Sequence, residues 1–359
     1  MLTNVFRRHN RQPQAGCYVA PLISVCLPVY DTEPVLERCL RSVITQDYPN
    51  FEIVIVSDKS RGHDSNGRDA KQIALAMQRE CSRYRRAHGL SKVNIYFREH
   101  RENRGLIEVR RTLMHESSGE YIAMVDSDDV LEDGALSALA GGLNTDGGEI
   151  DIVHGTTVAG VFGEDGLFTP ITPNRYGQIT YGTLTGHDIF RGWLAGKAMS
   201  GTSWGKLIRR DLFVRAFDHI PYTECNMAED FLLFFFISQY AHRYVGIRDK
   251  VYRYGVTTGM SSVRKIDTLH KWKMVCSAAS VFSVIIQWIE QETAAGRQPL
   301  ADDEMINIRQ RTSFYLQNNL LQLRQTVVPD LQNEARQMLC DYWGQHFVER
   351  MEEQMKSTD

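Results

Sequence analysis

Between residues 23 and 128, four short apolar, β-branched runs alternate with three segments long enough for helices. The runs are "ISVCLPVY" (23–30), "FEIVIVSD" (51–58), "VNIYFREH" (93–100) and "YIAMVDSD" (121–128); the segments between them are 33–46, 68–88 and 106–117. Continuous apolar runs suit strands covered on both faces, and a helix between consecutive strands makes the connection a crossover. The alternation therefore predicts an α/β fold: a parallel, doubly wound sheet with helices on both faces. In such sheets the ligand crevice lies beyond the carboxyl ends of the strands, and the polar clusters of this chain fall there.

Downstream, "GGLNTDGGE" (141–149) reads as a loop and 150–162 as a strand or hairpin. The Gly-, Pro-, Thr- and Tyr-rich 163–186 has no helical period and reads as loops and short strands folding over the crevice. A helix is expected over Met227–Tyr240, a strand over 241–256, and helices from about Lys265 to the end. In 331–347 the residues Leu331, Ala335, Met338, Leu339, Tyr342, Trp343 and Phe347 form one apolar stripe. That stripe packs either on the main domain or on a second copy of the chain, which would make a homo-oligomer. The organisation expected is a mobile tail (1–20), a main domain (21–262) with a first half (21–130) and a second half (131–262), and a helical C-terminal region (263–359).

Composition narrows the partners. With 41 basic and 44 acidic residues the net charge is −3, so no global basic field draws nucleic acid. Seven scattered cysteines without a CxxC pair argue against a disulfide framework and a zinc site, and fit a reducing cytoplasm. No stretch is expected to reach the ~20 apolar residues of a spanning helix, and the longest apolar run, 278–289, reads as a buried helix. Arg7, Arg8 and Arg11 are either a solvated tail or a peripheral contact with anionic lipid on the inner face of the membrane.

Four segments project polar residues toward the crevice. The first strand ends in "PVYDTE" (28–33), where Pro28 interrupts the ladder and Asp31 or Thr32 caps the next helix. The second ends at Asp58, and "RENRGLIEVRR" (101–111) supplies a turn at Asn103 and Gly105 and a cation, Arg110. The fourth delivers Asp126, Asp128 and Asp129; strand alternation would put Asp126 and Asp128 on one side and Ser127 on the other. Two carboxylates so spaced suit a hard divalent cation, Mn²⁺ or Mg²⁺, that holds a diphosphate. Alone, D-x-D is frequent in turns; at the end of an apolar strand, beside three other polar segments, it is a strong signal.

These motifs, in this order, resemble family 2 glycosyltransferases of the GT-A fold, of the bacterial surface-polysaccharide type. The resemblance is carried by "ISVCLPVYDTEPVLERCLRSVITQDYPNFEIVIVSDKS", "ENRGLIEVRRTLMHESSGEYIAMVDSDDVLEDGAL", "SWGKLIRRDLF" and "MAEDFLLFFF", within residues 22 to 262. It implies a GT-A fold, a Rossmann-like mixed sheet in which not every strand is parallel, with a helical C-terminal extension. Pro28, Tyr30, Asp31 and Glu33 would line the nucleotide pocket, Asp58 would meet the base, Arg110 the nucleotide end, and Asp126, with Ser127 beside it, the ribose. Asp128 would hold the metal. Asp230 would be the general base, with Glu229 positioning base or acceptor, and Arg253 would lie near the phosphates unless it is an ordinary surface cation. Trp204 would stack on an acceptor sugar unless it is core, and Lys206 is grouped with it. The second strand departs from the family's pattern, ending "SDKSRGHD" where two consecutive acids are usual, so Asp64 is an alternative base contact.

The implied reaction is single displacement with inversion: a sugar moves from a nucleotide-sugar donor, UDP first, to a hydroxyl of a glycan, lipid-linked or protein acceptor. An inactive scaffold in a glycan-assembly complex is the competing reading, which the joint presence of Asp126, Asp128, Glu229 and Asp230 disfavours. A nucleotidyltransferase would want a Gly-rich phosphate loop after the first strand, which "PVYDTEPV" lacks.

Overall fold

The computed structural model describes residues 20–145, 148–256 and 265–356. The N-terminal tail with Arg7, Arg8 and Arg11, and the end of "VYRYGVTTGMSS", lie outside the described residues.

The first half follows the expected alternation: β1 (Ile23–Val29), α1 (Glu33–Ile44), β2 (Phe51–Ser57), α2 (Ala70–Ala87), β3 (Ile95–Glu99), α3 (Leu106–Glu116) and β4 (Tyr121–Met124). These four strands are parallel, in the order β3-β2-β1-β4. The second half adds β5 (Val130–Leu131), α4 (Ala135–Gly142), β6 (Ile152–Phe162), β7 (Phe168–Pro170), β8 (Gly182–Thr185) and α5 (His187–Leu194). It continues through β9 (Lys206–Arg209), α6 (Arg210–His219), α7 (Glu229–Tyr240) and β10 (Arg243–Gly255). The sheet runs on as β4-β9-β6-β10-β5, with β9 antiparallel to both β4 and β6, so it is mixed rather than wholly parallel.

The connection from β1 places β2 on one side, while β4 returns on the other, so the chain reverses direction across the sheet at β1/β4. The ladder between them ends at Cys26 opposite Met124, whereas β1 stays paired with β2 to Val29. Pro28 lies past the last β4 pair, where its missing N–H leaves no gap in that ladder. The two strands part there and open a crevice.

Apolar side chains fill both faces of the sheet. One layer joins Leu36, Leu40 and Val43 of α1 with Ile73 and Met77 of α2. The other joins Leu113, Phe213, Leu233 and Phe235 with Val281, Phe282 and Ile285 of α9 (Ala278–Ala294). Before α9 comes α8 (Leu269–Cys276), and after it α10 (Asp302–Gln325), α11 (Gln332–Trp343) and α12 (Gln345–Lys356).

The helical C-terminal region is thus not a separate lobe at α9. Phe282 contacts Phe231 of α7, and Trp288 packs edge-on against Phe235 and Phe236. The other C-terminal helices gather around Trp272, Leu316, Leu320 and Leu339 in a smaller core of their own. The 331–347 stripe is spent inside this chain, and it is broken at Gly344, whose φ of 84° ends α11 and starts α12 with Phe347 aboard.

One expectation needs correcting. Leu269–Ala294 is long and apolar enough to cross a membrane by length and composition, with mean hydropathy 1.4, because helix extends upstream of the 278–289 run. Two thirds of its most apolar window, 67%, is nevertheless buried inside the fold.

Candidate active site

The turn after β4 is built from both sides. The strand ends at Met124, before Asp126, so side-to-side alternation does not govern the aspartates. Asp129 N–H instead bonds the Asp126 carbonyl at 3.0 Å and closes a turn. The Asp129 carboxylate is buried and accepts from Tyr252 Oη–H (2.9 Å) and Gly255 N–H (2.7 Å) on β10. Tyr252 Oη also accepts from Asp126 N–H at 3.0 Å. Arg38 of α1 donates to the Asp128 carbonyl at 2.8 Å, with its guanidinium 3.7 Å from the Phe162 ring. Ser127 is buried and shares a hydrogen bond with Thr32 across the crevice, 2.7 Å. Asp129 and Ser127 are buried in the turn, whereas Asp126 and Asp128 are partly exposed.

Arg110 ties this turn to the start of α7. Its side chain is 1% exposed and meets three carboxylates: Asp126 at 3.8 Å, Glu229 at 3.2 Å, and Asp230 in a short ion pair. Burial alone would lower the guanidinium's pKa, but Asp230, Glu229 and Asp126 hold it raised. Glu229 and Asp230 open α7 after Ala228 in left-handed conformation (φ 63°), and the N-terminal end of a helix favours negative charge.

All three donors to Asp230 converge on Oδ1: Arg110, Ser203 N–H (3.1 Å) and Ser203 Oγ–H. Among the described residues none bonds Oδ2, so one oxygen is held in place and the other takes no hydrogen bond from them.

One buried cation does not balance the cluster. Burial pushes the Asp126 carboxyl up to about 8, Arg110 opposing and Asp230, Asp128 and Glu229 adding repulsion. Burial likewise pushes Glu229 up to about 7, with Arg110 opposing and Asp230 adding to it. A surplus of oxygen donors and negative charge fits a hard divalent cation. Among the described residues no three His, Cys, Asp or Glu side chains converge on one point, so Asp128 would need the oxygens of a diphosphate to complete such a site.

Several expected contacts fall elsewhere. Asp58 is buried, and its oxygens accept from Arg104 N–H (2.9 Å) and Gly105 N–H (2.8 Å) and pair with His100 (2.7 Å). It anchors the turn before α3, which leaves its carboxylate committed inside the protein instead of open to a base. Asp64 is also committed, to Arg68 and to the N–H of Asn66. Arg253, opposite Val130 in the sheet, pairs with Glu132 at 2.6 Å. Trp204 and Lys206 are buried and offer no face to an acceptor: Trp204 stacks on Tyr252 and Tyr254, and the Lys206 ammonium bonds the Thr202 carbonyl.

The remaining expected residues sit around the β1/β4 fork. Tyr30 is half-buried, and Asp31 (φ 54°) is exposed, linked to Ser60 and Arg61 on the next loop. Pro28 sits at the fork of β1 and β4. Glu33 is 1% exposed, and neither of its carboxylate oxygens has a partner. Sequence reasoning missed Ser203, Tyr252 and Arg38. Ser203 stands inside the quoted "SWGK", the one signal that pointed toward it.

The profile of "Glycosyl transferase family 2" matches residues 24–215, more than half of the chain. Glycosyltransferase GlyA of Streptococcus pneumoniae is 27% identical over 244 residues, covering 67% of this chain; the chain spans 31% of that relative's length. Among solved structures, S. aureus TarS 1-349 in complex with UDP-GlcNAc is 18% identical, with 92% of this chain and 91% of that one covered and a TM-score of 0.49. Mannosyltransferase PcManGT from Pyrobaculum calidifontis, in complex with GDP-Man and Mn2+, is 16% identical, covers 86% of this chain and 74% of that one, and also scores 0.49. With the family profile running across the first-half strands and on to α6, over more than half of its length, the chain belongs to glycosyl transferase family 2.

Proposed function

We propose that this chain is an inverting glycosyltransferase that moves a sugar from a nucleoside-diphosphate donor, UDP first, to a hydroxyl of a glycan, lipid-linked or protein acceptor in cell-surface glycan synthesis. The observation that carries the reading is Arg110, which touches Asp126 of the donor turn and both acids of α7 at once, so one crevice holds donor and base. The reaction belongs in the cytoplasm, at the inner face of the membrane when the acceptor is lipid-linked.

A sugar hydroxyl is a weak nucleophile at neutral pH and needs a carboxylate to take its proton as the bond forms. Asp230 does this through Oδ2, while Ser203 and Arg110 keep Oδ1 still. Glu229, on the same guanidinium, keeps Arg110 aligned. Asp126 accepts hydroxyls of the ribose. Asp128 would hold a divalent cation, which would supply charge stabilisation to the departing diphosphate. Base and leaving group on opposite faces of the sugar give one displacement and inversion.

Asp128→Ala tests the metal assignment. In the wild type, Mn²⁺ should tighten UDP binding at least about tenfold, and in the variant that gain should vanish while the fold is kept. A variant whose UDP affinity still rises with Mn²⁺ as in the wild type would remove Asp128 from the metal site.

A further inference from the structure

Lys206 opens β9 and is buried beneath the loop before it. Its Nζ donates to the Thr202 carbonyl at 2.7 Å and lies 3.2 Å from Thr202 Oγ1 and 3.4 Å from Ser200 Oγ, beside the Phe234 ring of α7. One residue past Thr202, Ser203 bonds the Asp230 carboxylate through both its N–H and its hydroxyl. The next residue, Trp204, forms a bridge to Met124 at the end of β4 and stacks on Tyr252 at 5.1 Å and 11°. Tyr252 is the residue whose hydroxyl holds Asp126 N–H and Asp129. Gly205 turns the chain with φ 71°, where a Cβ would come within 2.9 Å of Thr157 Oγ1. Five consecutive residues thus join the α7 acid to the donor turn, with Lys206 as their internal tie.

We propose that Lys206 is a positioning residue: it fixes the 200–204 loop so that Ser203 holds Asp230 in its proton-accepting orientation, while Trp204, stacked on Tyr252, sets the loop's distance from the Asp126–Asp129 turn. The inference rests on reading Asp230 as the base. Among the described residues Nζ bonds only to the loop that carries Ser203; burial lowers the Lys206 pKa to about 7, against the field of Asp230, which raises it.

The test uses Lys206→Met, Trp204→Phe and Trp204→Leu in the full chain. Two quantities are read: amide hydrogen exchange at Ser203, and hydrolysis of UDP- and GDP-linked sugars with Mn²⁺. In Lys206→Met the Ser203 amide should exchange at least about tenfold faster, kcat should fall at least about tenfold, and the donor KM should stay within about twofold. The Tm should not fall, because a buried charge is replaced by an apolar side chain of similar length. Trp204→Phe should keep most of kcat and Trp204→Leu should lose it. Unchanged Ser203 exchange in Lys206→Met would overturn the proposal, as would a raised KM with intact kcat, which would make Lys206 a substrate contact. If Asp230→Asn turns over like the wild type, the base reading fails separately; Ser203 exchange, which needs no turnover, still decides whether Lys206 holds the loop.

Discussion

Asp230→Asn should bind nucleoside diphosphate as the wild type does and transfer sugar about 10²- to 10⁴-fold more slowly, the range set by removing a positioned general base. Asparagine keeps the shape and an acceptor oxygen for Ser203 and Arg110, so the 200–204 loop should stay in place. What it loses is the ability to take a proton. The variant also removes one negative charge from a cluster in which a single guanidinium faces three carboxylates, so stability should hold or rise. Comparing donor affinity with kcat separates the outcomes. A kcat near that of the wild type would move the base elsewhere, and a lost donor affinity would make Asp230 part of the donor site.

Arg110→Met should have the larger effect on stability, a loss of about 3 kcal/mol or more by urea unfolding at pH 8. The buried guanidinium is the shared partner of Asp126, Glu229 and Asp230, and truncating it leaves those carboxylates facing one another. The loss should shrink toward pH 5.5. Glu229, already pushed up to about 7 by burial, is raised further without Arg110, so between the ordinary carboxylate range near 4.5 and the folded value the native state holds more protons than the unfolded one. Stability then falls as pH rises through that window, and falls more steeply in the variant. Equal destabilisation at both pH values would show that the guanidinium acts through packing rather than charge.

Much of the first half is legible in the sequence because its strands are covered on both faces and so read as unbroken apolar runs: 23–30 and 51–58 are expected, and β1 and β2 start where expected and end one residue sooner, at Val29 and Ser57. β9 is only four residues long, and its antiparallel place between β4 and β6 comes from pairing across distant sequence. No local pattern encodes that. The acids of the site are legible because carboxylates at strand and helix ends are conspicuous, but their partners are not. Tyr252 reaches Asp126 across 126 residues of chain, and within its own strand it reads as an ordinary aromatic. Trp204 and Lys206 show the limit most clearly. An aromatic and a cation in a loop suggest ligand contact, and only the packing reveals that both are interior. Asp58 shows the same limit: its position at the end of β2 is readable, but its three internal partners come from the turn before α3.

Calorimetric titration of the wild-type chain with a panel of nucleoside diphosphates, with and without Mn²⁺, tests the central claim most directly. A donor crevice at the β1/β4 fork with a metal held at Asp128 predicts that one nucleotide binds and that Mn²⁺ tightens it. Folded protein that binds none of the panel under either condition would contradict that claim and leave the Arg110 cluster as the framework of an inactive scaffold.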